Sequence, residues 1–225
     1  MDQTPAHERH NADLLRIIPR TARRLIEIGC SSGALAREYK KLEPASHYTG
    51  VEIDETYAQL AQRHCDVTLT ADLDLVGEDF WRAHADRDCW IFGDTLEHLK
   101  DPWRVLRSIR QVIPTEGHVA VCVPNAQHWS LIARLTCGDF RYEDQGLLDR
   151  THLRWFTRAT LLELFDSCGF VVHAGFPRIF QENHRETFLP LIGQLARAAG
   201  ADPEVAMRDA QPLQYVLLVK PKPEA

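Results

Sequence analysis

Four acidic side chains stand where apolar, strand-like runs end, and their placement suggests a shared ligand. They are Glu27, Glu52, Asp72 and Asp94. The carboxyl ends of parallel strands meet at one edge of an open α/β sheet, which is where such folds bind ligands. Carboxylates at that edge can accept hydrogen bonds from a diol or attract a cationic ligand. Local roles are the alternative: Glu52 could cap the following helix, and Asp72 could form a turn.

A glycine-containing turn, Glu27-Ile-Gly-Cys-Ser-Ser-Gly33, follows the first of these strands. Glycine lets the backbone turn tightly and approach a ligand closely. A nicotinamide dinucleotide site requires G-x-G-x-x-G. Only Gly29 of those three glycines is present, because Ser31 and Ala34 occupy the other two positions. No Gly-Lys-Ser/Thr follows the turn, so a P-loop is excluded as well.

The elements that position these residues alternate between strands and amphipathic helices. Predicted strands cover 25–29, 47–53, 66–70, 89–93 and 118–123, and further strands follow at about 170–177 and 213–220. Between these strands, apolar residues recur at helical spacing. Asp101-Pro102 marks the start of one such helix, because Asp is a good N-cap and Pro suits the first helical position. This alternation predicts βαβ units in a mainly parallel sheet.

The alternation of strands and helices ends after Pro124. Residues 125–157 are rich in aromatic, histidine and charged residues and show no regular spacing of apolar residues. A long irregular segment inside a compact domain is usually functional. We therefore expect a single domain over 1–225. Its cofactor-binding half covers 20–125, a lid or acceptor region covers 125–157, and a helical insertion at 180–212 precedes the last strand.

Composition narrows the class of protein. The 225 residues carry a formal net charge of −6, which disfavours extensive nucleic-acid binding. The six cysteines show no metal-binding spacing, so we expect reduced, buried thiols. Residues 1–9 lack the apolar core of a signal peptide, and no apolar run is long enough to span a membrane, so a cytoplasmic location is expected.

In their order and spacing, these motifs resemble class I S-adenosylmethionine-dependent methyltransferases of types 11, 12 and 23. The acidic-x-Gly-x-x-x-Gly turn at 27–33 matches that family's first motif, and Gly50-Val-Glu-Ile-Asp54 matches the second. Thr70-Ala-Asp-Leu73 and Phe92-Gly-Asp-Thr-Leu-Glu-His98 resemble the third and fourth, and Val123-Pro-Asn125 resembles the Pro-Asn after strand five. The resemblance covers about residues 20–180 and implies a Rossmann-like, doubly wound, seven-stranded sheet with an antiparallel last strand.

The resemblance also implies a binding site for S-adenosyl-L-methionine. The residues that it points to are Glu27, Gly29, Cys30, Ser31, Gly33, Glu52, Ile53, Asp72, Leu73, Asp94 and Thr95. Glu52 is favoured over Asp54 for the ribose hydroxyls, Asp72 for adenine and Asp94 for the amino acid portion. Glu27 serves either the methionine amino group or the shape of the turn. The family usually has glycine at position 31, and Ser31 is tolerated if its backbone avoids positive φ.

Methyl transfer from a sulfonium is an in-line displacement, and a hydroxyl acceptor also needs a base. A histidine with a pKa near neutrality suits that task. His128 and His152 lie where the sheet pattern breaks, although either could instead brace the lid by hydrogen bonds. By position alone, Arg141, Tyr142 and Arg154 are candidates to line the acceptor pocket.

The segment Gly146-Leu-Leu-Asp-Arg-Thr-His-Leu-Arg-Trp-Phe156 is similar to one in bacterial methyltransferases of glycan assembly. A related resemblance is to methyltransferase-fold proteins associated with methionine biosynthesis. We therefore expect methyl transfer to a small-molecule or sugar acceptor, on oxygen, with no extensive nucleic-acid binding. The alternatives are a nucleic-acid or protein methyltransferase and a regulatory or binding protein that keeps the fold without the chemistry.

Overall fold

The computed structural model describes residues 8–223 and places seven strands within them in one sheet. Residues 1–7, which belong to the N-terminal stretch considered above, lie outside the described part. The strands are β1 (Arg24–Ile28), β2 (His47–Glu52), β3 (Val67–Thr70), β4 (Cys89–Gly93), β5 (His118–Pro124), β6 (Phe170–Arg178) and β7 (Gln214–Pro221). Their spatial order is β3-β2-β1-β4-β5-β7-β6.

The pairing of the strands confirms the predicted fold class. β1 pairs in parallel with β2 and β4, β2 with β3, and β4 with β5. β7 runs antiparallel between β5 and β6, with Val121 opposite Leu217. The sheet is therefore Rossmann-like and doubly wound, and its last strand is reversed. From β1 the chain adds strands towards one edge of the sheet, and from β4 it adds strands towards the other edge. The carboxyl ends of β1 and β4 therefore form the switch point where a ligand fits.

The helices follow the strands in chain order. They are α1 (Ala12–Ile17), α2 (Ala34–Leu42), α3 (Glu55–Ala61), α4 (Glu78–Ala83), α5 (Pro102–Val112), α6 (Trp129–Thr136), α7 (Arg158–Ser167), α8 (Arg185–Ala198) and α9 (Pro203–Asp209), with a 3₁₀ turn at Leu96–His98. α5 begins as predicted, because the Asp101 carboxylate accepts a 2.9 Å hydrogen bond from the Arg104 backbone N–H.

Some helices were not foreseen from the pattern. α1 and α4 have six residues each, which is too few for helical periodicity to be distinctive. α6 lies inside the 125–157 segment, where we expected irregular structure, so that segment is partly regular. The 180–212 insertion contains two helices, α8 and α9, rather than one.

Two apolar layers enclose the sheet. Trp90 and Phe92 of β4 point into one of them, and Cys89 and Ile91 point into the other. All four side chains are fully buried, as the period of two along a central strand requires. This packing makes β4 a rigid support for the residues at its carboxyl end.

The six cysteines are free, and four of them are buried as expected. Cys65 is only partly buried and Cys137, which follows α6, is exposed, so the expectation of burial is wrong for these two. Within residues 8–223, no helix has the length and apolar character needed to cross a membrane.

Candidate functional site

A cavity of about 900 Å³ opens at the carboxyl edge of β1, β2 and β4. Its wall includes most of the residues that the sequence assigned to cofactor binding. These are Glu27, Gly29, Cys30, Ser31, Glu52, Ile53, Asp72, Leu73, Asp94 and Thr95. Gly33 is the exception: it lies beneath the wall, where its α-carbon packs against Ala61 of α3 and a Cβ would come within 3.3 Å of that residue.

The turn after β1 requires glycine at its first position. Gly29 has φ +73°, and a Cβ there would lie 2.8 Å from the Thr95 hydroxyl oxygen. That hydroxyl donates a 2.9 Å hydrogen bond to the Ile28 carbonyl and so ties the end of β1 to the segment after β4. The backbone N–H groups of Gly29 and Cys30 both donate to the Val51 carbonyl, which fixes the turn against β2. The result is a backbone surface that a ligand can approach closely.

Ser31 differs from the sequence expectation. Its φ is +47°, in the left-handed region that the substitution for glycine was expected to avoid. The strain is compensated locally, because this conformation directs the Ser31 N–H to the Glu52 carboxylate at 2.8 Å. A polar contact between two strand ends therefore selects a backbone conformation that the residue type disfavours.

Glu52 is the acid of the second motif that faces the cavity. Its other carboxylate oxygen accepts hydrogen bonds from the backbone N–H groups of Ile53 at 2.8 Å and Asp54 at 3.3 Å. Asp54 instead caps α3 by accepting from the Tyr57 N–H at 3.1 Å and does not line the cavity. The geometry thus separates the two acids that the sequence left as rivals.

Glu27 is buried beneath the turn, where its carboxyl group accepts a 2.9 Å hydrogen bond from the Tyr48 phenol. Burial raises the pKa of Glu27 to about 8, the Tyr48 hydrogen bond lowers it in part, and the charge of Glu52 adds to the rise. The side chain is therefore mostly protonated at neutral pH. A positive charge placed beside it would favour the carboxylate form.

Asp94 and Asp72 stand on either side of the cavity. Asp94 has φ +56° and its carboxylate accepts a hydrogen bond from the Gln214 side chain of β7. The Asp72 carboxylate accepts a 2.8 Å bond from the Asp74 backbone N–H, which forms the turn that was the alternative interpretation of this residue. Both residues still line the cavity, so the turn and a ligand contact are compatible.

The far wall of the cavity brings together Glu97, His98 and His152. One ligand atom from each of these side chains lies within 4.8 Å of the other two. The Glu97 side chain is 1% exposed, neither carboxyl oxygen forms a well-formed hydrogen bond, and His152 Nε2 lies 3.9 Å from Oε1. The rings of the two histidines meet edge to face, with their centroids 4.8 Å apart.

Electrostatics in this group follow from burial. Desolvation raises the pKa of Glu97 well above its usual value, and the charges of Asp94 and Asp149 raise it further. Burial lowers the pKa of His98, and burial together with the nearby His98 lowers the pKa of His152. Both imidazoles are therefore neutral at neutral pH, and each has a lone pair available on one nitrogen.

Backbone hydrogen bonds hold the group in place. The N–H groups of Leu153 and Arg154 both donate to the Glu97 carbonyl, at 2.8 and 2.9 Å. The segment that carries His152 is thereby fixed to the 3₁₀ turn that carries Glu97 and His98. This contact joins residues more than 50 positions apart in the chain, and sequence spacing gives no signal for it.

The other residues proposed for the acceptor side are not brought into the cavity wall. His128 caps α6, is fully buried, and has its ring nitrogens 2.8 Å from the Ser130 hydroxyl and 3.1 Å from the Glu182 carboxylate. Arg141 and Tyr142 are exposed on the loop after α6, and the Arg154 guanidinium donates to the Lys100 carbonyl. For His128 the bracing role that the sequence left open is the one that the geometry supports.

Several wall residues were missed by sequence reasoning. They include Arg9, His10, Asn11, Gln145, Asp149 and Gln214. They come from α1 and its N-terminal approach, from the loop before His152, and from the start of β7. Only the loop before His152 carried a signal, since the sequence marked 125–157 as a functional segment.

Comparisons with known proteins agree with this fold. A model of a family described as a methyltransferase domain matches residues 6–174. Ubiquinone biosynthesis O-methyltransferase from Yersinia enterocolitica is 29% identical over 102 residues, which are 43% of this chain. That match spans 40% of the relative, which is less than half of its length.

Solved structures show the same fold at low identity. A methyltransferase from Thermotoga maritima, described as a possible histamine N-methyltransferase, aligns with a TM-score of 0.61 and 14% identity, covering 93% of this chain and 86% of that one. Magnesium protoporphyrin IX methyltransferase from Synechocystis, with bound S-adenosylhomocysteine, aligns at 0.59 and 12%, covering 94% and 80%. An S-adenosylmethionine-dependent methyltransferase from Mesorhizobium loti aligns at 0.59 and 17%, covering 92% and 95%.

Proposed function

The chain belongs to the methyltransferase domain family, and on this premise we propose that it methylates a hydroxyl oxygen of a small-molecule or sugar acceptor, using S-adenosyl-L-methionine. One observation carries the proposal. A single cavity has the acid-and-glycine edge of β1 and β2 on one side and the buried Glu97 and His152, with the partly buried His98, on the other. One wall suits the cofactor, and the other suits an acceptor.

The residues of the first wall fit the cofactor. Gly29 lets the turn adopt a positive φ while Thr95 packs against its α-carbon, and Glu52 offers two carboxylate oxygens to the ribose hydroxyls. Glu27 and Asp94 would face the positively charged amino acid portion, and Asp72 with Leu73 would face adenine. When bound, S-adenosyl-L-methionine supplies a methyl group on a positively charged sulfur. Acidic residues around that position attract the cation and orient it.

The second wall supplies the acceptor chemistry. His152 Nδ1 lies 3.3 Å from the Leu147 carbonyl, which leaves Nε2 as the available atom. A neutral imidazole can take the proton of a hydroxyl acceptor, which is the role that we assign to His152. Residues 145–153 line the cavity beside it, which supports our proposal that the 125–157 segment of a single domain covers the acceptor. An oxygen target is further supported by the O-methyltransferase among the relatives.

The test measures methyl transfer and cofactor binding separately. Protein is incubated with S-adenosylmethionine carrying a labelled methyl group and a panel of sugar nucleotides and phenols, with matched amines beside them. We expect label in hydroxyl acceptors, and turnover about 100-fold lower in His152→Gln, a loss typical of removing a general base. His64→Gln, outside the cavity wall, is the control.

Binding of S-adenosylhomocysteine to His152→Gln should stay within about twofold of the wild type, because His152 lies on the acceptor wall. Label found only in amines would contradict the oxygen target. Wild-type turnover in His152→Gln would remove the histidine from the reaction.

A further inference from the structure

Among the described residues, the carboxyl group of Glu97 is a buried polar group without a well-formed hydrogen bond. Its side chain is 1% exposed, and neither oxygen accepts a hydrogen bond. Without a ligand, burial favours the neutral form of this group, and a buried polar group that lacks hydrogen bonds marks a place where a ligand or metal ion can bind. The His152 Nε2 atom, 3.9 Å from Glu97 Oε1, is too distant for a hydrogen bond.

The two neighbouring imidazoles are held as metal-binding histidines are held. His98 Nδ1 lies 3.2 Å from the Thr151 carbonyl and 3.0 Å from the Thr151 hydroxyl, which in turn donates to Asp149 at 2.7 Å. His152 Nδ1 faces the Leu147 carbonyl. A metal-binding histidine almost always donates its other ring N–H to a carbonyl or a carboxylate, which fixes the tautomer. Here both Nδ1 atoms have such partners, so the Nε2 atoms carry the lone pairs.

Acidic side chains line the same cavity. Asp94 and Asp149 are among them, beside Glu97. Arg150, on the same wall, directs its guanidinium to Asp144 at 2.6 Å. A cation beside Glu97 would therefore have two further carboxylates in its cavity and two imidazole nitrogens as ligands.

We propose that Glu97, His98 and His152 bind a divalent first-row cation, zinc or manganese, at the acceptor wall. One carboxylate with two imidazoles is a donor set suited to these ions rather than to magnesium or calcium, which prefer oxygen alone. Ligand atoms on one cation lie roughly 3 to 4 Å apart, so a separation of up to 4.8 Å closes with an inward movement of about 1 Å.

This inference rests on the proposed function and narrows its substrate class. Three protein ligands leave coordination positions open, and an acceptor with a hydroxyl oxygen can fill one of them. A cation bound there would lower the pKa of that hydroxyl, and its proton would leave to water. The oxygen then bonds to the methyl carbon as the carbon–sulfur bond breaks, with both electrons staying on sulfur. In the metal-bound chain His152 Nε2 would be a ligand and not the base, so the base role assigned above would apply to the metal-free chain alone.

The test titrates chelator-treated protein with Zn²⁺, Mn²⁺ and Mg²⁺ by calorimetry. We expect one Zn²⁺ or Mn²⁺ per chain and weaker binding of Mg²⁺. Glu97→Gln should bind Zn²⁺ at least about 100-fold more weakly, since even residues that only support a ligand change affinity by 10- to 100-fold. Glu97→Gln keeps the shape of the side chain and is neutral, so it should fold, which circular dichroism checks. Glu163→Gln, exposed on α7, is the matched control.

A second readout is thermal unfolding with saturating Zn²⁺. The midpoint should rise in the wild type and in Glu163→Gln but not in Glu97→Gln, because a ligand stabilises only the state that binds it. Equal Zn²⁺ affinity in wild type and Glu97→Gln, or no binding by the wild type, would overturn the metal site. Binding of S-adenosylhomocysteine, measured on the same samples, separates this failure from a failure of the proposed function.

Discussion

The buried Glu27 makes a quantitative prediction about stability and pH. Its pKa in the folded chain is about 8 against an ordinary value of 4.5, because it is buried beneath the glycine turn. A group whose pKa is raised by folding contributes stability that is complete below its unfolded pKa and is lost as pH rises towards its folded pKa. Glu27→Gln keeps the shape and can still accept the Tyr48 hydrogen bond, but it cannot ionise.

The size of the effect follows from the two pKa values. Each pKa unit corresponds to about 1.4 kcal/mol, so the ceiling is roughly 5 kcal/mol. Between pH 5 and pH 8 the Glu27 contribution to the free energy of unfolding should fall by roughly 3 to 4 kcal/mol. Glu27→Gln should therefore gain that amount over the wild type across this interval. Taking the difference between the two proteins removes the parallel contribution of Glu97, whose pKa is also raised.

The assay is urea unfolding followed by circular dichroism at pH 5 and pH 8, with linear extrapolation to water. Glu163→Gln, which removes an exposed carboxylate, should follow the wild type at both pH values. If Glu27→Gln and the wild type differ by the same amount at pH 5 and pH 8, Glu27 does not carry a raised pKa and the reasoning is refuted.

Three further predictions concern the turn, a cap and the core. Gly29→Ala forces a positive φ on alanine and a 2.8 Å contact between its Cβ and Thr95, so it should lower stability by about 1 to 2 kcal/mol. It should also weaken S-adenosylhomocysteine binding in calorimetry, and wild-type affinity would contradict the role of this turn in binding the cofactor. Thr157→Ala removes the capping box of α7 and should cost about 1 kcal/mol in urea unfolding, whereas Thr157→Ser should cost less. Ile109→Ala, at a fully buried position, should cost roughly 2 to 5 kcal/mol with cofactor affinity unchanged; a loss of affinity in the folded variant would mean that the core and the site are coupled.

Local chemistry explains what the sequence could predict. The strands carry apolar runs with a period of two, Asp101-Pro102 marks the start of α5, and the acids at strand ends follow from the parallel sheet. These features depend on neighbours within a few residues or on a rule that holds for all parallel sheets. Glu52 and Asp54 could be ranked in the same way, because Glu52 ends the strand whereas Asp54 lies beyond it, in the position of an N-cap for the next helix.

Contacts between distant segments explain the misses. Ser31 adopts positive φ because its N–H reaches Glu52, 21 residues away, and no local rule contains that contact. His128 and His152 looked equivalent as candidate bases. Glu182 binds the first, while the Glu97 carbonyl fixes the segment of the second in the cavity wall. The grouping of Glu97 with His152 likewise depends on that wall and becomes visible only once the fold is formed.

The central claim is that the acid-and-glycine edge binds S-adenosylmethionine through Glu52. Calorimetric titration with S-adenosylhomocysteine tests it most directly, comparing wild type, Glu52→Ala and the matched control Asp54→Asn, which preserves an N-cap for α3. We expect the wild type and Asp54→Asn to bind with similar affinity. Glu52→Ala should bind at least about 10-fold more weakly, because losing a charged hydrogen-bonding partner costs roughly 1.4 kcal/mol of binding free energy. No binding by the wild type at millimolar ligand, or equal binding by Glu52→Ala, would contradict the account.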